Sequence, residues 1–335
     1  DENVKRVQLT WQEKSQALAA LHELRKSQKE AQGEKQYYQD TARELEEDTE
    51  KPPSKGKDVR DSVILNQWLD DPDVAKAKSS KDAMKIVEKK LEKKKREALA
   101  REYDLGKTKA KHQILSGDLR EIMPTLEADQ FDCIIADPPY GVNADKFRNQ
   151  NAERHEYQDD EDYANDLMNV IASEGWRTAK KQAHIYVCCD IRRFADVKEL
   201  FEAVGWYVFK TPLVWYKGPR MGLLPLPEHG PRRCYEAIMY AIKGERRTMH
   251  VAPDVIDAPH DSSVERGAHK PPELYENLIA RSCYAGNRVL DPCCGTGPVF
   301  AAADKMRCIA TGIEMDEAAL GWAIERLKGE DEEDG

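Results

Sequence analysis

The sequence predicts an α/β domain built on a mainly parallel sheet, preceded by a helical N-terminal appendage. Two observations in the 335 residues predict this division. From His112 onward, short apolar runs alternate with segments of helical character, as in a parallel sheet covered by helices on both faces. Before His112 the chain is rich in charge and apolar residues recur at helical spacing. We therefore predict a helical appendage at 1–110 and an α/β domain at 111–330.

The appendage is predicted to contain capped helices separated by a linker. Thr10 followed by Glu13 predicts a helix start, because the two side chains can bond each other's backbone N–H groups. The segment 51–57 holds two prolines and a glycine and predicts a linker or exposed loop. A second helical stretch begins near Val59, and a long solvated helix is expected to end near Tyr103.

Seven apolar runs are predicted to be the buried strands of the sheet. They are 114–115, 132–136, 183–189, 211–216, 237–242, 288–290 and 308–313. Helices fit between most of them, for example at 163–178 and 194–204. Ligands of such sheets bind at the carboxyl ends of the strands, so the residues that directly follow each run are the candidate functional residues.

Charge is unevenly distributed along the chain. The net charge of −10 is unfavourable for a polyanionic partner when taken alone. However, 76–111 holds fourteen Lys and Arg against six Asp and Glu, a local net charge of +8, while 330–334 is entirely acidic. A second basic region covers 217–247. The whole-chain charge therefore excludes no class of partner.

The composition argues against membrane and metal functions. No apolar stretch approaches the roughly 20 residues that cross a bilayer, and no signal peptide is recognisable. The eight cysteines include two adjacent pairs and no pair with the spacing of a zinc knuckle. We expect reduced, mostly buried thiols, no metal, and a soluble protein.

Asp137-Pro138-Pro139-Tyr140 follows the predicted strand that ends at Ala136. Two consecutive prolines remove two backbone donors and hold the chain extended, which leaves carbonyls free to accept hydrogen bonds from a ligand. A carboxylate and an aromatic ring stand beside them. This set suits a planar group with an exocyclic amine, because it offers two acceptors for two N–H bonds and a ring for stacking. A chance proline turn with an N-capping Asp is the alternative.

A glycine-rich loop follows the predicted strand that ends at Leu290. Its sequence is Asp291-Pro292-Cys293-Cys294-Gly295-Thr296-Gly297. Its glycines permit close backbone approach, and the positive end of the next helix faces the ligand. Glu314 ends the following strand, where an acidic side chain can accept both hydroxyls of a ribose. Nucleotide, flavin and S-adenosylmethionine sites share this combination, and a plain strand-to-helix turn is the alternative.

Together the two motifs resemble the amino-methyltransferases of DNA, which join an Asp-Pro-Pro-Tyr turn to a cofactor loop of the form Asp-Pro-Xaa-Cys-Gly-Xaa-Gly. Here the turn precedes the loop by 154 residues. That order is similar to the circularly permuted beta group of these enzymes. The resemblance covers about 112–328 and implies a Rossmann-like, seven-stranded, S-adenosylmethionine-dependent methyltransferase sheet. Cys293 departs from the Phe that is usual in the family, which puts the packing beside the cofactor in doubt.

The resemblance implies roles for individual residues. Catalysis would fall to Asp137, Pro138, Pro139 and Tyr140, with the tyrosine ring stacked on the target base. The implied cofactor-binding residues are Asp118 near the adenine, Lys270 near the methionine carboxylate, and Asp291, Cys293, Gly295, Thr296, Gly297 and Glu314. The basic segment at about 217–268 supplies the candidates for contacts to DNA phosphates, namely Lys217, Arg220, Arg232, Arg233, Arg246 and Arg247.

The implied reaction is methyl transfer from S-adenosylmethionine to N6 of an adenine flipped out of double-stranded DNA, with defined or relaxed sequence specificity. N4-cytosine methylation is the nearest alternative, because it uses the same amine geometry, and the Asp that opens the turn favours adenine. A DNA-binding, partition-like module with an inactive methyltransferase half is the other. We expect the bacterial cytoplasm or nucleoid, a bacterial or phage origin, and a restriction-modification context.

The segment 2–10 resembles the one that opens the DNA-binding helices of ParB-like domains. With the local charge of +8, this resemblance implies that the appendage binds DNA. A solvated helical arm or a contact within a homodimer is an equal alternative.

Overall fold

The computed structural model describes residues 10–32, 35–44, 55–102, 111–140, 161–219, 231–258 and 270–333. The ParB-like segment up to residue 9 and Arg220 lie outside them. The chain forms two compact units, Asp1–Lys95 and Arg96–Gly335, so the division falls before the boundary predicted near 110. In the described part of the chain, no helix is long and apolar enough to span a membrane.

The described residues of the first unit are helical. The helices are α1 Trp11–Glu30, α2 Tyr38–Glu44, α3 Lys55–Asn66, α4 Pro72–Ala75 and α5 Ser80–Glu102, the last of which continues past the unit boundary. The predicted capping box is present, with Glu13 N donating to the Thr10 hydroxyl at 3.2 Å and Thr10 N donating to the Glu13 carboxylate at 2.7 Å. Helix α3 begins inside the segment predicted as a linker at 51–57, so that prediction was wrong from Lys55 onward.

The described strands of the second unit form one sheet of nine strands. They are β1 Gln113–Ser116, β2 Phe131–Ala136, β3 Ala179–Cys189, β4 Tyr207–Val208, β5 Leu213–Tyr216, β6 Tyr235–Lys243, β7 Val255–Asp257, β8 Arg288–Asp291 and β9 Ile309–Glu314. All seven predicted runs are strands of this sheet. The short strands β4 and β7 were not predicted; β4 pairs with β6, and β7 pairs with β5.

The sheet is mainly parallel, as predicted. Its order is β1-β9-β8-β2-β3-β6-β5-β7, with β4 also paired to β6. Strand β6 runs antiparallel to β3, β4 and β5, while the other pairs are parallel. Because β6 is reversed, its first residues lie at the edge where the other strands end. The register pairs Trp215 with Glu236, which places Glu236 at that edge.

Helices cover both faces of the sheet. They are α6 Leu119–Ile122, α7 Glu161–Thr178, α8 Phe194–Val204, α9 Pro272–Ser282, α10 Pro298–Lys305 and α11 Glu317–Glu333. Side chains of β2 alternate between two apolar clusters: Cys133 and Ile135 pack with residues of α9 to α11, and Ile134 and Ala136 pack with residues of α7 and α8. This two-sided burial explains why the strand is a continuous apolar run rather than an alternating one.

Candidate active site

The predicted motifs meet at the carboxyl edge of three adjacent strands. Strand β2 ends at Ala136, immediately before the Asp137 turn, and it pairs with β8, which ends at Asp291. Strand β8 pairs in turn with β9, which ends at Glu314. The sheet therefore brings together residues that lie far apart in sequence.

The turn from Asp137 to Tyr140 is held by hydrogen bonds between its own side chains and by bonds to Glu236 and Arg193. The Tyr140 hydroxyl lies 2.8 Å from Asp137 Oδ1 and 2.9 Å from Glu236 Oε2. The Tyr140 carbonyl accepts from Arg193 Nη1 at 2.9 Å. Burial raises the pKa of Tyr140 well above its usual value, and the Asp137 and Glu236 charges add to the shift. The phenol therefore stays protonated, and its O–H group can donate a hydrogen bond to one of the two carboxylates.

Lys270 lies in this turn rather than beside the glycine-rich loop. Its Nζ is 2.6 Å from Asp137 Oδ2, 3.0 Å from Glu236 Oε2 and 3.3 Å from the Tyr140 hydroxyl. Three acceptors therefore take the three N–H bonds of the ammonium group. The contact to the methionine carboxylate implied for Lys270 stays a prediction, and it competes with these three acceptors.

Glu236 links two lysines at the same edge. It forms ion pairs with Lys270 and with Lys217, whose Nζ also lies 4.8 Å from the centroid of the Trp215 ring. Burial acts to raise the pKa of Glu236, but the two ammonium groups outweigh it and lower the pKa to about 2. Glu236 is therefore an anion at neutral pH, and its partner Lys217 is held at the turn.

The glycine-rich loop adopts the conformation that its two glycines permit. Gly295 has φ +54° and Gly297 has φ +74°, both in the left-handed region that favours glycine. Gly297 precedes helix α10, which starts with Pro298. A Cβ built on Gly297 would lie 2.7 Å from the Phe300 side chain, whereas one on Gly295 would meet no atom within 4 Å. A side chain at Gly297 would therefore clash with its neighbours, whereas a side chain at Gly295 would extend into open space.

Two buried side-chain oxygens of this loop lack a hydrogen-bond partner among the described residues. Asp291 Oδ1 accepts from Cys293 N at 3.0 Å, but Asp291 Oδ2 and Thr296 Oγ1 have no hydrogen-bond partner among the residues that the structure describes. Unsatisfied buried polar atoms are uncommon in folded proteins and mark places where a ligand or water completes the bonding. The Cys293 side chain packs against the apolar cluster of α7 and α8.

Burial raises the pKa of Asp291 to about 8, and the nearby charges of Asp137 and Glu314 contribute to the rise. Because the folded pKa exceeds the unfolded one, the folded state binds more protons than the unfolded state between about pH 4 and 8. The contribution of this carboxyl to stability therefore falls as pH rises through that window.

We expect Asp291→Asn to stabilise the ligand-free protein at pH 8 and to have little effect near pH 4. Relative to the variant, each pH unit within the window lowers the stability of the wild type by up to about 1.4 kcal/mol. Denaturant unfolding of both proteins from pH 4 to pH 9 measures this difference. A stability difference that does not change with pH would contradict the assignment of a protonated Asp291.

Glu314 and Asp118 occupy the ends of β9 and β1. The Glu314 carboxylate accepts from Gly295 N and from Asp316 N, each at 2.8 Å, and is largely buried. Asp118 caps helix α6 and forms an ion pair with Arg120 at 2.6 Å. Its hydrogen bonds with Arg120 lower its pKa, so it is an anion. Both acids lie at the edge where the cofactor-binding residues were predicted.

The structure describes five of the six predicted phosphate-binding residues and places them in different surroundings. Arg233 donates from both terminal nitrogens to Asp190, each at 3.1 Å, and Lys217 pairs with Glu236. Arg232 is exposed beside the start of β6 and stays a candidate. Exposed Arg247 follows the end of β6 and so lies at the opposite edge of the sheet.

Arg246 makes intramolecular contacts at the opposite edge of the sheet. Its guanidinium donates to the Ser282, Gln182 and Asn287 oxygens and pairs with Asp132 at 3.4 Å. The side chain is only 12% exposed, and Asp132 lies at the start of β2, the edge opposite the Asp137 turn. The DNA contact predicted for Arg246 stays a prediction, and this geometry does not favour it.

Sequence reasoning missed Glu236, Asp190 and Arg193 as site residues. Asp190 follows β3 and is buried; burial acts to raise its pKa, but Arg192 and Arg233 lower it to about 2. That position could have been found, because it directly follows a predicted strand. Glu236 lies at the start of a strand, and only the reversed direction of β6 brings it to the same edge.

These features define a Rossmann-like methyltransferase fold. The crystal structure of M1.HpyAVI in complex with SAM matches 64% of this chain and 98% of its own, with a TM-score of 0.50 and 20% identity. The PvuII DNA methyltransferase, described as cytosine-N4-specific, matches 68% of this chain and 94% of its own, with a TM-score of 0.50 and 13% identity. At these identities the likeness concerns the fold.

The chain is also similar to two curated proteins. It is 22% identical over 245 residues to the type II methyltransferase M.HpaI of Haemophilus parainfluenzae, covering 65% of this chain and 74% of that protein. It is 24% identical over 249 residues to the type II methyltransferase M.HinfI of Haemophilus influenzae, covering 64% of this chain and 68% of that protein. No protein-family model matches the chain.

Proposed function

We propose that this protein is a DNA methyltransferase that transfers a methyl group from S-adenosylmethionine to N6 of a flipped-out adenine. One observation carries the proposal: an amine-accepting turn and a glycine-rich loop with a following acid lie at the ends of the adjacent strands β2, β8 and β9. The type II methyltransferases that the chain resembles support the choice of DNA as substrate. The order of turn and loop supports the permuted beta group.

The glycine-rich loop fits S-adenosylmethionine. Asp291 Oδ2 and Thr296 Oγ1 offer buried polar atoms without partners among the described residues, and Gly295 faces open space. Glu314 ends β9 beside this loop, and its carboxylate is the proposed acceptor for the ribose hydroxyls. When bound there, S-adenosylmethionine supplies an electrophilic methyl group on its sulfonium. Asp118 is the proposed neighbour of its adenine.

Asp137 would activate the target amine. An exocyclic amine is a weak nucleophile because its lone pair is delocalised into the ring. Hydrogen bonds from the amine to the Asp137 carboxylate and the Pro138 carbonyl favour tetrahedral nitrogen and localise that lone pair. Each Asp137 oxygen already accepts one bond, from Tyr140 or Lys270, and each retains a further lone pair. The carboxylate can therefore hold its orientation and still accept from the substrate.

DNA must reach this edge with the base out of the helix. Unpairing and unstacking cost a few kcal/mol, which stacking on Tyr140 and pocket contacts would offset. Exposed Arg232 lies at the start of β6 and is the phosphate contact that the described geometry supports best. The basic helix α5 is proposed as a second backbone contact, in keeping with the ParB-like segment before it.

Adenine and cytosine are distinguished by product analysis. We expect labelled S-adenosylmethionine and unmethylated DNA to yield N6-methyladenine after digestion to nucleosides, and sequencing of modified sites to reveal the target. N4-methylcytosine would favour the alternative reaction. Retained cofactor binding without a methylated nucleoside would support a DNA-binding module with an inactive methyltransferase half. Omission of cofactor and use of premethylated DNA are the controls.

A further inference from the structure

Four charged side chains and one phenol form a partly buried cluster at the Asp137–Tyr140 turn. They are Asp137, Glu236, Lys217, Lys270 and Tyr140. We propose that Lys270 and Glu236 are positioning residues: Lys270 holds the Asp137 carboxylate in one orientation, and Glu236 holds Lys270. The role goes beyond amine binding itself and rests on the proposed methyl transfer.

The geometry of Lys270 supports a holding role. Its side chain is 5% exposed, and its N–H bonds point to three acceptors, one of which is the carboxylate that must bind the substrate amine. Lys270 directly precedes Pro271, the N-cap residue of helix α9, so the backbone that carries the ammonium group is anchored by a helix. A charge placed in this way has little freedom to leave Asp137.

Charge balance explains the need for Glu236. The carboxylates of Asp137 and Glu236 are matched by the ammonium groups of Lys217 and Lys270, so the cluster is neutral overall. A buried ion that loses its partner is strongly unfavourable. The Tyr140 hydroxyl donates its single hydrogen bond either to Asp137 or to Glu236. Glu236 therefore contacts both Tyr140 and Lys270, the two side chains that contact the Asp137 oxygens.

The chemistry requires the ionised carboxylate. A protonated Asp137 has one oxygen less able to accept a hydrogen bond from an amine, and it gives no negative charge to stabilise the cationic nitrogen that methylation creates. An ammonium group 2.6 Å from Asp137 Oδ2 keeps the carboxylate in place while its remaining lone pairs stay available to the amine.

The first test is the rate of methyl transfer under saturating S-adenosylmethionine and DNA, together with the KM for DNA. We expect Lys270→Met to lower kcat at least about tenfold with little change in KM, because the Asp137 carboxylate loses the ammonium group that fixes its orientation. Lys270→Arg restores part of the rate. Glu236→Gln lowers kcat in the same direction, because Lys270 loses one of its acceptors. The exposed Lys210→Met and Glu245→Gln are matched controls.

Cofactor affinity separates this role from the one implied by the family resemblance. If Lys270 positions Asp137, Lys270→Met binds S-adenosylmethionine with wild-type affinity in calorimetric titration. Affinity lowered tenfold or more together with an unchanged kcat would overturn the proposal and favour a contact to the methionine carboxylate. A wild-type kcat in Lys270→Met would overturn it as well, whatever the cofactor affinity.

A second test does not depend on methyl transfer. Glu236→Gln leaves two buried ammonium groups with one carboxylate and is expected to lower the thermal unfolding temperature. Adding Lys217→Met restores neutrality, so the double variant should be more stable than Glu236→Gln alone. Strictly additive losses would overturn the charge-balanced cluster. An inactive wild type with this non-additive pattern would instead refute only the proposed function.

Discussion

Asp137→Ala is expected to lower methyl transfer by at least about 10²- to 10³-fold, the usual consequence of removing one preorganised polar group from a reacting centre. Without the carboxylate, the target amine keeps its lone pair in the ring and the methylated nitrogen loses its nearest negative charge. Single-turnover rates with saturating cofactor and DNA measure the loss.

Cofactor binding should survive this substitution, because the glycine-rich loop belongs to β8 and α10 rather than to the turn. Asp137→Asn tests the charge at nearly constant shape and is expected to be strongly impaired, since an amide gives one acceptor and no charge. The exposed Asp196→Ala is the matched control. Near-normal methylation by the Asp137→Ala protein would exclude the proposed mechanism.

Gly297→Ala is expected to have the largest effect on stability among the loop substitutions. Its φ of +74° disfavours any side chain by about 1–2 kcal/mol, and the new Cβ would lie 2.7 Å from Phe300 and 2.9 Å from Ala323. Such overpacking costs about 1–3 kcal/mol more. The sum of about 2–5 kcal/mol corresponds to a fall of roughly 4–20 °C in Tm.

Gly295→Ala is the natural comparison for this effect. Its φ of +54° carries the same strain, but its Cβ would enter open space, so the fold should lose only about 1–2 kcal/mol. If that space receives the cofactor, affinity for S-adenosylmethionine should fall at least about tenfold, equivalent to about 1.4 kcal/mol. Equal Tm losses in the two variants, or unchanged cofactor affinity in Gly295→Ala, would contradict these assignments.

The strands and the two motifs were predictable because each depends on neighbours in sequence. A continuous apolar run such as 133–136 indicates a strand buried on both faces, and β2 has that environment. Asp137 and Asp291 directly follow predicted strands, and parallel strands carry such residues to a common edge. The capping box at Thr10 is equally local, since its partner lies three residues away.

The basic residues show what this reasoning could not reach. Arg246 and Arg233 were grouped by composition, but their partners Asp132 and Asp190 lie far away in sequence. A positive charge in the sequence does not reveal whether folding will pair it. The DNA contacts predicted for these two residues therefore compete with ion pairs that no pattern along 217–247 indicated.

The sequence by itself determined the class of fold, the position of the turn and loop at strand ends, and the amine chemistry of Asp137. Only the tertiary structure decided the surroundings of that carboxylate. Glu236 reaches it because β6 runs against its neighbours, and Lys270 reaches it because the chain enters α9 at the same edge. Strand direction and helix entry are set by packing across the whole sheet, so these long-range partners leave no local signal.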